Sequence, residues 1–274
     1  MQIITVAGQN PGPFTGAGTN TYLLLADATV LVDTGSGVAA HIDELARTLD
    51  AAERSLDHVI VTHGHVDHVG GVPAIAKRWP GTRFFKFPAA GDEAHDVAFT
   101  PLGDDQILTL GSLRLWIVHT PGHAPDHVVV YEPRSGVLFG GDLVANGGTV
   151  VIPARRGGRL DQYLQSLHKV LDLQPRRILP GHGGPIENPP ALLKAYIAHR
   201  LARERQILDA LSGGDVLTTD EIVARVYEPL QPSLREAAGE SVLAHLVKLR
   251  DDRRVVERGN GWMRDTRDPK NRVL

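Results

Sequence analysis

The run Thr62-His63-Gly64-His65-Val66-Asp67-His68 sets the tightest limit on what this chain can be, because it packs three imidazoles and a carboxylate into seven residues. So many polar groups cannot be buried together without partners. Imidazole nitrogen and carboxylate oxygen suit zinc and similar first-row ions, and alternation along an extended turn puts His63 and His65 on the same side. Asp67 and His68 then point elsewhere, so one ion does not collect all four. The segment reads as half of a two-metal site. Its plainer reading is a histidine-rich surface loop with Asp67 as a turn or helix cap. Leu56 to Val61, just before it, is a short apolar run typical of a buried strand. Open α/β sheets usually carry their chemistry beyond the carboxyl ends of such strands.

Three other strand-like runs end in similar material. Leu113 to Val118 leads into His119-Thr120-Pro121-Gly122-His123, Gly136 to Phe139 into Gly140-Gly141-Asp142, and Arg177 to Leu179 into Pro180-Gly181-His182-Gly183. Glycine at each turn lets the backbone bend sharply and deliver the next side chain inward. Each segment alone is weak evidence, but together with the first cluster they form a pattern that chance rarely produces.

His63-Gly64-His65-Val66-Asp67-His68, Thr120-Pro121-Gly122-His123, Gly141-Asp142 and Pro180-Gly181-His182-Gly183 resemble, in order and spacing, the motifs of the metallo-β-lactamase superfamily. The resemblance implies an α/β fold, a four-layer αββα sandwich with two metals at one edge. One metal would be held by His63, His65 and His123, the other by Asp67, His68 and His182, with Asp142 bridging them. Two zinc ions per chain are implied, and the same donors also accept manganese or iron. Such a pair, roughly 3.5 Å apart, would bring a bridging water to near-neutral pKa and supply a hydroxide nucleophile. Asp67 would orient it and His182 would sit near the departing group, which makes these two the catalytic candidates. Gly18 to Leu25 and Thr29 to Gly35 resemble the family's opening hairpin. Asp33 is then expected behind the ligand loop, and His127, just past the third motif, is a candidate for supporting a ligand or touching substrate. His119 reads as a hydrogen-bonded strand-end residue, and His41, His58, His95, His168 and His245 as surface or core. The Gly-rich stretch Gly8 to Gly18 lacks the residues of a nucleotide-binding loop.

With 274 residues, 42% of them hydrophobic, and a formal charge of −3, the chain can bury a large core in one or two domains. It has no cysteine, so disulfides and thiolate metal sites are excluded and every ligand must be nitrogen or oxygen. The start, Met1 to Val6, is strand-like and uncharged, and no apolar run approaches the roughly 20 residues that span a bilayer. The expectation is a cytoplasmic protein without a membrane partner.

After Pro189-Pro190 the composition becomes helical and arginine-rich, which divides the chain into a catalytic domain over 1–188 and a C-terminal domain over 189–274. Ala191 to Leu211 has helical periodicity, Thr218-Thr219-Asp220-Glu221 caps a second helix through Tyr227, and a third runs from about Pro232 to Arg250. Arg254 to Arg264 reads as a hairpin, completing a winged-helix-like outline, and Asp265 to Leu274 as a loosely ordered polar end. Residues 189–274 hold 15 basic and 13 acidic side chains, a weaker excess than a dedicated nucleic-acid domain usually has. A helical wall over the site or a homodimer surface is therefore the first reading of this domain, and nucleic-acid contact the second.

Ala198-His199-Arg200, Arg203 to Leu208 and Leu243 to Leu249 further resemble the lactamase-beta-2-like branch, whose relatives include a single-strand endoribonuclease and carrier-protein thioesterases. Where relatives tend to carry acidic residues after the bridging Asp, this chain has Arg155, Arg156 and Arg159. Arginine forks match carboxylate and phosphate, so these three, with His199, are the substrate-binding candidates for an anionic ester. The expected activity is hydrolysis of a phosphodiester in single-stranded nucleic acid. The alternative is an acyl thioester of coenzyme A or a carrier protein, or a glyoxalase II-like small molecule. A weak β-lactamase activity and a non-enzymatic nucleic-acid-binding protein are the remaining readings.

Overall fold

The alternating runs pair into two β-sheets stacked face to face. The computed structural model describes residues 1–90, 92, 96–227 and 229–265; the polar end after Asp265 and His95 lie outside them. In the first sheet, β1 (Gln2–Ala7), β2 (Asn20–Leu25) and β3 (Thr29–Val32) form an antiparallel meander. There β4 (His58–Val61), β5 (Arg83–Lys86) and β6 (Phe99–Pro101) then add in parallel. In the second sheet β7 (Gln106–Leu110), β8 (Leu113–His119), β9 (Val128–Glu132) and β10 (Val137–Gly141) are antiparallel neighbours. The last strand, β11 (Arg177–Pro180), joins β10 in parallel.

The two-residue period of a strand explains the layering. Tyr22, Leu24, Val30, Val32 and Ile60 of the first sheet meet Leu115, Ile117, Val128, Val130, Phe139 and Leu179 of the second in one buried core. Their neighbours point the other way. Leu23, Leu31, Val59 and Val61 pack beneath α1 (Ala39–Ala51) and α3 (Val72–Arg78). Val118, Val129, Leu138 and Ile178 pack beneath α4 (Leu160–Leu173) and the first half of α5 (Pro189–Ala210). Both faces of each sheet are thereby buried, which is the αββα sandwich.

The C-terminal part follows its sequence signals closely. Thr218 caps α6 (Thr219–Val226) in a reciprocal capping box with Glu221. A 3₁₀ turn at Pro232–Leu234 precedes α7 (Arg235–Asp251), so the third helix begins later than its proline suggested. The hairpin is β12 (Val255–Arg258) with β13 (Gly261–Arg264). The long helix starts earlier than expected, because Pro189 and Pro190 occupy its first turn, where the missing N–H costs nothing. It belongs to two cores: Leu193 and Tyr196 pack on the second sheet, while Ile207 and Leu208 pack with Ile222, Val242, Leu246 and Trp262. Among the described residues no helix is long and apolar enough to cross a membrane.

Because Phe139 is fully buried between the sheets, Phe139→Ala should cost about 3–5 kcal/mol. Ile107→Ala, at a side chain 53% exposed on β7, should stay within about 0.5 kcal/mol in the same urea-unfolding comparison.

Candidate metal centre

Five strands deliver side chains to one edge of the sandwich. Asp33 follows β3, the Thr62–His65 turn follows β4, His123 lies in the loop after β8, Asp142 follows β10 and His182 follows β11. The short helix α2 (Val66–Val69) starts directly after His65 and carries Asp67 and His68. Two donor groups result: His63, His65, His123 and Asp142 in one, and Asp67, His68 and His182 in the other. Within each group the ligating atoms lie within 4.8 Å of one another.

Asp142 belongs to both. Its Oδ2 is 3.5 Å from His123 Nε2, and its Oδ1 is 3.3 Å from both His68 Nε2 and His182 Nε2. Asp67 Oδ2 completes the second group, 3.3 Å from His182 Nε2 and 3.4 Å from His68 Nε2. Gly181 makes this approach possible, since a Cβ there would come within 2.6 Å of Asp142 Oδ1 and 2.7 Å of the His68 ring.

The surroundings fix which ring nitrogen faces inward. Asp33, itself held at φ 63°, accepts Thr62 N–H at 2.7 Å, the Thr62 hydroxyl at 2.9 Å and His68 Nδ1–H at 2.8 Å. With its proton on Asp33, Thr62 Oγ1 can only accept from His63 Nδ1, 3.1 Å away. Val151 O, an obligate acceptor, takes His123 Nδ1–H at 2.8 Å. His63, His68 and His123 therefore all turn Nε2 toward the cluster. His127 lies behind it: its Nε2 accepts Asp142 N–H at 3.0 Å, and Nδ1 donates to Thr120 Oγ1 at 2.8 Å.

These inward atoms fit metal ions. His65 Nδ1 is 3.0 Å from His63 Nε2 and 2.8 Å from His123 Nε2, so three imidazole nitrogens converge with few protons among them. His68 Nε2 and Asp142 Oδ1 are buried and neither completes a hydrogen bond, although they lie 3.3 Å apart. Burial, reinforced by neighbouring imidazoles, pushes His63 well below the ordinary histidine range and His65 down to about 4. Burial also opposes the charge on His182, but the neighbouring Asp142 and Asp67 carboxylates outweigh it and raise that group to about 9. Asp142 stays well below the usual carboxylate range despite its burial, because His68, His182 and His123 surround it. A cation in each group would satisfy the same lone pairs and displace protons from the second.

Two of the three arginines expected over the site are tied to the C-terminal helix α7. Arg155 pairs with Glu240 of α7, and Arg159 bonds Asp161 and, at 2.7 Å, Asp251 of α7. Arg156 sits in the exposed 3₁₀ turn Ala154–Arg156. His199 is exposed on α5, whereas its neighbour Arg200 is buried. His119 stacks on Phe87 with ring centroids 4.0 Å apart and bonds Pro125 O at 2.8 Å, a strand-end role.

Several residues at the site carried no recognisable sequence signal. Thr19 donates to Asp67 Oδ2 at 3.1 Å, and Asn10 Nδ2 holds both Thr19 Oγ1 and Ser36 Oγ. The Gly8 to Gly18 stretch is thus pinned beside the second donor group. Lys86, 1% exposed at the end of β5, lies 2.7 Å from Asp126 Oδ2 and 2.7 Å from Asp92 Oδ1. This ion pair joins the first sheet to the loop carrying His123, directly under Gly64.

Comparison with known proteins agrees with the geometry. The model of the metallo-beta-lactamase superfamily matches residues 14–182, and that of the beta-lactamase associated winged helix domain residues 218–262. The first match spans more than half of the chain, which belongs to the metallo-beta-lactamase superfamily, in general a group of metal-dependent hydrolases. The beta-lactamase-like protein 2 homolog of Drosophila melanogaster is 38% identical over 264 residues, 90% of this chain and 87% of that protein. The lactamase-like protein aptB of Emericella nidulans is 33% identical over 267 residues, 93% of this chain and 82% of that protein. Among solved structures, a metallo-beta-lactamase family protein from Thermus thermophilus has a TM-score of 0.80 at 25% identity. It covers 96% of this chain and 98% of its own.

Removing one partner of a buried ion pair strands the other. Lys86→Met should therefore cost about 3–5 kcal/mol, and Lys86→Met with Asp126→Asn should recover part of that loss in thermal or urea unfolding.

Proposed function

We propose that this chain is a two-metal hydrolase of an ester, and that its first substrate class is a phosphodiester in single-stranded nucleic acid. The observation that carries the reading is Asp142, one buried carboxylate whose two oxygens face two separate sets of imidazoles. A structural metal site normally closes around one ion with four ligands and has no use for such sharing. His63, His65, His123 and Asp142 would hold one ion, and Asp67, His68, His182 and Asp142 the other. Zinc suits these donors, with manganese and iron as alternatives. A bound pair supplies Lewis-acid stabilisation of the ester oxygens and a more acidic water.

The chain's own residues do the rest. Asp67, steadied by the Thr19 hydroxyl, orients the attacking water by accepting its hydrogen. His182, partly exposed at the edge of the cluster, stands on the side from which the departing group leaves. Asp33 and His127 keep the donors aligned and so preserve the geometry during turnover.

One observation favours an acyl thioester as the second reading. Arg155 and Arg159 are engaged with carboxylates of α7, which removes two of the cations a polyanionic strand would use. A thioester needs only its carbonyl polarised and makes no such demand.

Labelled single-stranded RNA and an acyl-coenzyme A should be offered in parallel to the zinc- or manganese-loaded protein. RNA cleavage that falls more than about 100-fold in His63→Ala and Asp142→Ala, beyond what loss of a supporting partner gives, is the expected result. Metal-loaded protein that leaves RNA intact and cleaves the thioester would replace the first reading with the second. A loaded protein inert toward both would refute the proposal.

A further inference from the structure

The loop after Asp142 forms the wall of the site beside His123, and α4 and α5 hold it at four places. Tyr196 OH accepts Ala145 N–H at 3.0 Å and donates to Gly148 O at 2.8 Å. Tyr163 of α4 donates to Leu143 O at 2.7 Å. The Arg200 guanidinium donates to Val150 O and lies 5.3 Å from the centre of the Tyr163 ring. The next carbonyl, Val151 O, accepts His123 Nδ1–H.

Arg200 is an unusual residue to find there. It is 3% exposed, its Nε is buried without a partner, and no carboxylate lies within ion-pair distance of it among the described residues. A buried cation so poorly compensated costs stability, which a neutral residue would avoid. Its backbone is also tied to the C-terminal core, since Arg200 O lies 3.2 Å from Nε2 of buried His245 on α7. One residue thus connects that core, through its backbone, to the peptide next to the His123 hydrogen bond, through its side chain.

We propose that Arg200 is a positioning residue, through which the C-terminal unit sets the orientation of His123 and hence the affinity of the His63/His65/His123/Asp142 group for its metal. The carbonyl of Val150 is drawn toward the guanidinium, which fixes the plane of the Val150–Val151 peptide unit and so the position from which the chain reaches Val151 O. Val151 O is then aimed at His123 Nδ1, and Nε2 is left facing His65 and Asp142. Arg155–Glu240 and Arg159–Asp251 hold the far end of the same loop to α7, so both ends depend on the C-terminal unit. On this account the winged-helix part completes the metal centre.

This inference rests on the two-metal reading, and the test separates them. Full-length apoprotein is titrated with zinc against a chromophoric chelator, and the cobalt(II) spectrum is recorded, for wild type, Arg200→Met, Arg200→Lys and Leu246→Ala. Leu246 is fully buried in the C-terminal core away from the loop and controls for lost stability. Wild type should bind two ions. Arg200→Met should weaken one of them by about 10-fold to 100-fold, the range for loss of a partner behind a ligand, and shift the cobalt spectrum. Leu246→Ala should lower Tm with both affinities and the spectrum unchanged. Should Arg200→Met fail to fold, Arg200→Lys, which keeps the cation but has a shorter reach, should weaken the same ion by a smaller factor. Wild-type affinities in the folded arginine variants would overturn the role of Arg200 alone. Equal losses in Leu246→Ala would overturn it as well, by showing a general stability effect. A wild type that binds no zinc or cobalt would overturn the two-metal reading and this inference with it.

Discussion

A carboxylate shared between two sets of imidazoles is the constraint around which the molecule is arranged. Asp142 is 9% exposed, and His68, His182 and His123 around it hold its carboxyl well below the usual carboxylate range. Those rings come from a helix after β4, a loop after β11 and a loop after β8, in both sheets. Bringing them within 3.5 Å of one residue fixes how the two sheets stack and which edge they share. The apolar faces alone would permit sliding, because a hydrophobic contact has no direction. Hydrogen bonds and ion pairs do have direction, and here they select one arrangement.

Supporting groups extend that constraint outward. Asp33 holds Thr62 and His68 together, His127 holds the backbone of Asp142, and Val151 O holds His123. On His63, His68 and His123 the ring nitrogen that faces away from the cluster is used, so Nε2 is the nitrogen that faces in. The Lys86–Asp126 pair closes the sheets beneath Gly64, and the Arg200–Val150 contact closes the wall beside His123. The donor geometry is therefore a property of the packed sheets and of the C-terminal core, with α5 crossing from the second sheet to that core.

The same packing bears on substrate choice. Arginines in a loop next to a metal-type cluster suggest anion recognition, yet carboxylates on α7 already engage two of them. Their contribution is to fasten the loop. If the substrate is anionic, its recognition would fall to the cluster and to the remaining exposed surface, which includes Arg156 and His199.

The sequence by itself determined most of the layering and singled out as candidate donors the seven side chains that the fold gathers at one edge. Strand runs alternate with period two, glycine and proline mark the turns, and each donor follows a strand in short-range motifs; all of that is local along the chain. The capping box at Thr218 and Glu221 was legible for the same reason. Only the tertiary structure decided the rest. Asn10 with Thr19, Lys86 with Asp126, Arg155 with Glu240 and Arg200 with Val150 join residues from separate elements, and no periodicity or spacing in the chain encodes such pairs. Asp33 was legible as a position, but its three hydrogen bonds were not. Short-range order follows from the backbone and its neighbours, whereas the partner of a buried charge is set by whichever group the packed fold brings within reach.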